Sequence, residues 1–400
     1  MKSHIFIKLY LDKKIFYVYY DRQMNTQKVL LTDRGRIQSV QSLRAMAFLG
    51  IFTSHCQATS LGAWGVSVFI ILSGFLMYYN YSDRNLCYGI ENSMRFSINK
   101  IKKLYPLHIV MMCLSAIFIY KEICDNFSLD IILKSLCKML LNIVLMQDWI
   151  PQSEVYFSFN GVAWYLSLCL FLYFVFPFVL HFLKRIESSK NIVIIIIIVY
   201  LLQNTFGYLS LFLNIPSIIS DNFSKWFVYI FPFFRAGDFL IGCCLGDIYK
   251  RNCNNDRRRC YNIFFSSICE IMVLFIVIVV NFLYNYKIGS GGIEWFRYNM
   301  LYTIPSIFII YIFVYKKGIL TKIITNKVTI YLGNKSGYAF LIHQFVIRCF
   351  DWIQINVFHV RLNVWIKVCV LLAITIIFVE IYLKVCEYIR CKVTSVSKVE

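Results

Sequence analysis

Long apolar runs separated by short polar stretches set the pattern of this chain, and several reach the roughly 20 residues a helix needs to cross a bilayer. Isoleucine-rich stretches such as NIVIIIIIVYLLQ (Asn191 to Gln203) and IMVLFIVIVVNFLY (Ile271 to Tyr284) are the plainest examples. The runs place spans near 39–58, 62–81, 104–120, 162–182, 191–209, 226–249, 262–285, 297–315, 328–349 and 363–384. The expected fold is therefore all-α, a polytopic transmembrane helix bundle of about ten spans filling residues 37–385. Residues 1–36 read as a cytoplasmic N-terminal extension and 386–400 as a cytoplasmic tail. Ile131 to Met146 carries Lys134 and Lys138 at four-residue spacing and reads as an interfacial amphipathic helix, because a further span there would flip every later loop.

Composition agrees. The chain is 59% hydrophobic with a mean hydropathy of +0.64, and its 16% of charged residues falls well below a soluble domain's share. No long hydrophilic stretch remains for a soluble domain. A formal charge of +20 is explained by position and not by a nucleic-acid partner. With the N-terminus in the cytoplasm, the inside segments and their margins collect 30 of the 41 Lys and Arg, as the positive-inside rule requires. Both termini then lie in the cytoplasm, and membrane lipid is the first partner. The N-terminal region lacks the shape of a signal peptide, since Lys8, Asp12, Lys13 and Lys14 interrupt its apolar residues. Fifteen Cys are scattered without metal-like spacing, which argues for neither a disulfide framework nor a metal site.

Two ionisable residues stand on one apolar segment, SLRAMAFLGIFTSHC. Arg44 and His55 are eleven residues apart, so on a helix they share a face and lie about 16 Å apart along the axis. Charges at that depth point to function. The structural alternative is an Arg that snorkels to the headgroups and a His that bonds to a neighbouring helix. On this segment alone both readings stand.

Further patterns follow in order: GAWGVSVFIILSGFLMYY (Gly62 to Tyr79), with Gly65, Ser67, Ser73 and Gly74 small enough for close helix approach; FSINKIKKLYPLH (Phe96 to His108); NGVAWYLSLCLFLYFVFP (Asn160 to Pro177); FFRAGDFLIGCCLG (Phe233 to Gly246); and YLGNKSGYAFLIHQFVI (Tyr331 to Ile347). Together they resemble the acyltransferase type 3 family of membrane-bound sugar O-acyltransferases, from about Ile37 to His343. The family's Arg–His element falls on Arg44 and His55. Its paired basic residues become Lys100 and Lys103, with charge kept and the guanidinium fork lost. Its Trp-x-x-Ser-x-Glu pattern becomes Trp164 and Ser167 followed by Cys169 where many members have Glu. The later elements fall on Arg235 and Asp238, and on Gly333, Ser336, Tyr338, Leu341 and His343.

The resemblance implies transfer of an acetyl or other short acyl group from acyl-CoA, without a metal, to a cell-surface carbohydrate in a bacterial cytoplasmic membrane, alongside polysaccharide-assembly proteins. Such a transfer needs a base for the sugar hydroxyl and positive charge or donors for the oxyanion. His is matched to that task near neutral pH, which makes His55 the expected base and His343 its rival. His108, His181 and His359 read as structural or solvated. Cys56 follows His55 but points about 100° away from it on a helix, which argues against a Cys–His dyad. Arg44, Lys100 and Lys103 are the expected donor-binding residues, the two lysines at three-residue spacing on one helix face; the alternative for the lysines is topology anchoring. Trp164, Ser167, Arg235, Asp238 and His343 are expected to bind acceptor or support the site. A transporter or flippase is the competing class, although six Pro and no two-half repeat give it little support.

Overall fold

In the computed structural model, residues 37–87, 89–125, 128–255, 263–287, 301–315, 318–359 and 362–396 are described. The expected N-terminal extension, 1–36, lies outside them. The described residues are helical and turn-forming, with no strand among them.

The helices are α1 Gln38–His55, α2 Gly62–Tyr81, α3 Ile90–Ile101, α4 Tyr105–Asp125, α5 Leu129–Ile143, α6 Trp164–Lys184, α7 Ser189–Leu209, α8 Pro232–Asn255, α9 Ile263–Lys287, α10 Leu301–Tyr315, α11 Lys327–Ile353 and α12 Val364–Val396. A few shorter turns of helix connect them. Among the described residues, six helical segments are long and apolar enough to cross a membrane, or seven if α3 and α4 form one broken span. The expectation of about ten is met only to that extent, for a physical reason. α1 and α11 carry Arg44, Lys335, His343 and several Ser, Asn and Gln, which lowers their hydropathy; the residues on either side of α10 lie outside those described. The two helices that carry His55 and His343 are therefore outside that set. α12 runs without a break through residue 385 to Val396, so the expected tail begins as a continuation of that helix.

Close packing begins at small residues. A Cβ on Gly74 of α2 would lie 2.1 Å from the Phe239 carbonyl of α8, and one on Gly242 of α8 would lie 1.9 Å from the Ile71 carbonyl of α2. Only glycine lets these backbones touch. α1 packs as tightly: a Cβ on Gly65 of α2 would meet the Ala47 carbonyl, and one on Gly333 of α11 the Gln41 carbonyl. Val40, Leu43, Ala47, Phe48 and Phe52 of α1 have no exposed surface. By contrast, the spans built on α7 and α9 are each only 17% buried, leaving their isoleucine-rich faces for lipid.

Two local features position the site. Asn326 caps α11 by accepting from Val328 and Thr329 N–H, while the Thr329 hydroxyl accepts from Asn326 N–H. Between α3 and α4 the chain bends by 63°. Pro106 has no N–H for the Lys102 carbonyl, so the helix cannot run through; it opens α4 instead, in a first turn where proline is tolerated. α5 is 15 residues long and exposes Leu129, Leu133, Leu136 and Leu140, with Asn142 its one buried residue.

Candidate functional site

His55 ends α1, and His343 faces it from α11. His55 Nδ1 lies 2.8 Å from His343 Nε2. The ring planes differ by 8° and the centroids are 5.0 Å apart, the geometry of two nearly coplanar imidazoles sharing one N–H···N bond. His343 Nδ1 lies 2.7 Å from the Phe340 carbonyl oxygen. A carbonyl only accepts, so His343 carries its hydrogen on Nδ1, and in the neutral ring Nε2 is left as an acceptor. His55 must then donate from its own Nδ1, which puts its free lone pair on Nε2. The two rings also differ in access: His55 is exposed, whereas His343 has no exposed surface and packs against Phe48 and Phe52.

Arg44 is not brought to His55. It sits within electrostatic range of Tyr165, Tyr173 and Cys169 of α6, residues at four-residue spacing on one helix face. Among the described residues no carboxylate pairs with it, and it is only partly buried. Tyr173 also approaches Ser73 of α2, with 3.4 Å between their oxygens. An aromatic wall joins the two regions. Tyr165 packs on Phe340 at 5.3 Å between ring centroids, and Phe340 on His343 at 5.7 Å.

Lys100 and Lys103 do not share a helix face, which corrects the expectation from their spacing. α3 stops at Ile101, and Lys103 lies in the bend that Pro106 imposes. Lys100 Nζ donates to the Tyr81 hydroxyl and stands over the Tyr81 ring at 4.1 Å and the Phe96 ring at 5.2 Å. Lys103 instead lies over Tyr338 of α11 at 5.5 Å.

The remaining expected residues are enclosed. Trp164 is buried and packs on Tyr229 at 5.2 Å. The Arg235 guanidinium lies 5.9 Å from that Tyr229 ring and 2.9 Å from Asp238, and both members of the ion pair have fully covered side chains. No acceptor can touch that pair as it stands. Ser167 contacts the Leu145 carbonyl and Asp148 Oδ1. The other histidines stay apart from the site: His108 donates from Nε2 to the Asn142 carbonyl, His181 accepts from Arg185, and His359 is exposed. Sequence reasoning did not single out Tyr165, Tyr173 or Asp148. The spacing of Tyr165, Cys169 and Tyr173 was a usable signal, whereas nothing local marks Asp148.

Residues 37–382 match the family model for an acyltransferase domain, and the chain belongs to this acyltransferase type 3 family. The O-acetyltransferase OatA of Staphylococcus aureus is 25% identical over 335 residues, covering 78% of this chain and 50% of that protein. The acyltransferase MdmB of Streptomyces mycarofaciens is 26% identical over 171 residues, 39% of this chain and 42% of that protein. The chain thus spans about half the length of these relatives or less. No solved structure gives a significant match. With its apolar helices, family membership describes a multipass membrane protein.

Proposed function

We propose that the chain transfers an acetyl or other short acyl group from acyl-CoA to a hydroxyl of a cell-surface carbohydrate, a polysaccharide, O-antigen or capsule precursor, in a bacterial cytoplasmic membrane. The observation that carries this reading is the oriented His55–His343 pair, whose exposed member has a free Nε2. That nitrogen takes the hydroxyl proton as the oxygen attacks the thioester carbonyl. The imidazolium then shares its Nδ1 hydrogen with His343, and the C–S bond breaks. The proton on His55 Nε2 passes to the departing thiolate, which regenerates the base. No acyl-enzyme is needed.

Arg44 serves the donor. At about 16 Å along α1 from His55 it does not reach the same carbonyl. A guanidinium with no carboxylate partner among the described residues, in a bundle lined by Tyr165 and Tyr173, suits an anionic group of the donor. An extended pantetheine arm bridges the interval along the aromatic wall. Lys100 and Lys103, at the cytoplasmic end of the same bundle in the positive-inside topology, add point charges for CoA phosphates.

The test is mass spectrometry of the surface polysaccharide from cells with and without the gene. A shift of one acyl group, lost again with His55→Ala, is the expected result. An unchanged polysaccharide, with the protein present in the membrane, would overturn this reading.

A further inference from the structure

The turn between α5 and α6 holds a carboxyl that the proposed chemistry does not use. Asp148 has no exposed surface, and no Lys or Arg pairs with it among the described residues. Its Oδ2 meets no hydrogen-bond partner, while Oδ1 makes a short contact with Ser167 Oγ. Ser167 Oγ makes a second short contact, with the Leu145 carbonyl oxygen.

The hydrogens on these groups can be counted. Ser167 owns one hydroxyl hydrogen, and it cannot lie along both contacts at once. The Leu145 carbonyl has none to give, so Ser167 donates there. The hydrogen between Ser167 and Asp148 then comes from Asp148. An ionised carboxylate at this place would also leave one charged oxygen buried without a donor or cation, at a far higher cost than the carbonyl oxygen of a neutral acid. Burial pushes this carboxyl well above the usual carboxylate range.

Its surroundings give the neutral form a consequence. Trp226 Nε1–H donates to the Asp148 backbone carbonyl at 2.9 Å, fixing the turn from a second side. The Cys169 thiol lies within electrostatic range of both Asp148 and Arg44. Cys169 belongs to the α6 face, with Tyr165 and Tyr173, that surrounds Arg44.

We propose that Asp148 is carried as a neutral carboxylic acid donating to Ser167, a positioning residue that anchors α6, the helix whose opposite face meets Arg44. Its bearing on the donor site rests on the reading of Arg44 as the donor's anion-holding group; its protonation state does not.

Infrared spectroscopy of the full chain in lipid nanodiscs at neutral pH reads the protonation directly. The expected spectrum contains the carbonyl stretch of a buried carboxylic acid, sensitive to deuterium, and Asp148→Asn loses it. Asn keeps the shape, the neutrality and a hydrogen for Ser167, so Asp148→Asn should retain the acetyl-CoA KM and turnover. Asp148→Ala removes the donor and should lower the melting temperature by several degrees relative to Asp148→Asn. A wild-type spectrum without a band that Asp148→Asn removes would overturn the proposal. So would a folded Asp148→Asn protein with a raised acetyl-CoA KM, because the carboxylate itself would then be required. If no acyl transfer is found for the wild type, the spectrum still decides the protonation state, and only the link to Arg44 falls with the proposed function.

Discussion

The His55–His343 pair and the Arg235–Asp238 pair are both ionisable couples inside one helical bundle, yet they are built for different ends. The first has one sealed ring and one exposed ring, joined by a hydrogen bond whose direction the Phe340 carbonyl sets. The second is closed on both sides, with each charge spent on the other. A group can do chemistry only where a substrate can reach it, and a pair can orient a group only if one member is itself anchored. The first pair meets both conditions. The second fails the first, and what it offers is a fixed contact between α8 and its neighbours through Tyr229 and Thr303.

Removing one member of each pair should separate their roles. His55→Ala should lower acyl transfer by about 10²–10⁴ while leaving expression and insertion unchanged, the usual loss for a general base. Acyl transfer per folded molecule would measure it, and retention of most activity would end the assignment. Asp238→Asn should act on the fold: it strands the buried Arg235 charge and should cost about 3–5 kcal/mol of stability, read by thermal unfolding in detergent. If Asp238→Asn is as stable as the wild type but inactive, the pair belongs to the chemistry after all.

A smaller effect is expected at the lysines. Lys100→Gln and Lys103→Gln should each raise the apparent acetyl-CoA KM, and Lys→Arg should not, because point charges suffice for phosphate. Their contacts diverge toward Tyr81 and Tyr338, so the double Gln variant should show independent, multiplicative losses. An unchanged KM in correctly oriented protein would make them topology anchors only.

Much of this was visible in the chain itself. Arg44 and His55 share a helix as their spacing requires, and Gly65 and Gly74 do mark close helix approaches. The three-residue spacing of Arg235 and Asp238 puts the two charges side by side on α8, where they neutralise one another. Other features were hidden for definite reasons. His343 looked like a rival to His55 because 288 residues separate them, and only the packing of α11 against α1 makes the two partners. Lys100 and Lys103 seemed to share a face because the helix was extended through a bend, although Pro106 was there to warn of it. Asp148 could not be found, since its significance lies in a hydrogen count with Ser167 and Leu145 that no spacing encodes.

His55 as the base and His343 as the residue that acts through it make one unit. A double-mutant cycle in membrane vesicles, following transfer of labelled acetyl from acetyl-CoA to the acceptor, tests it most directly. Groups that work as a unit lose activity non-additively. His343→Ala should therefore cost less than His55→Ala, His343→Gln should recover part of the loss by accepting from His55 Nδ1–H, and the double Ala variant should be no slower than His55→Ala alone. Losses that multiply in the double variant, or a His343→Ala protein that is inactive while His55→Ala still turns over, would show that the two histidines do not work this way.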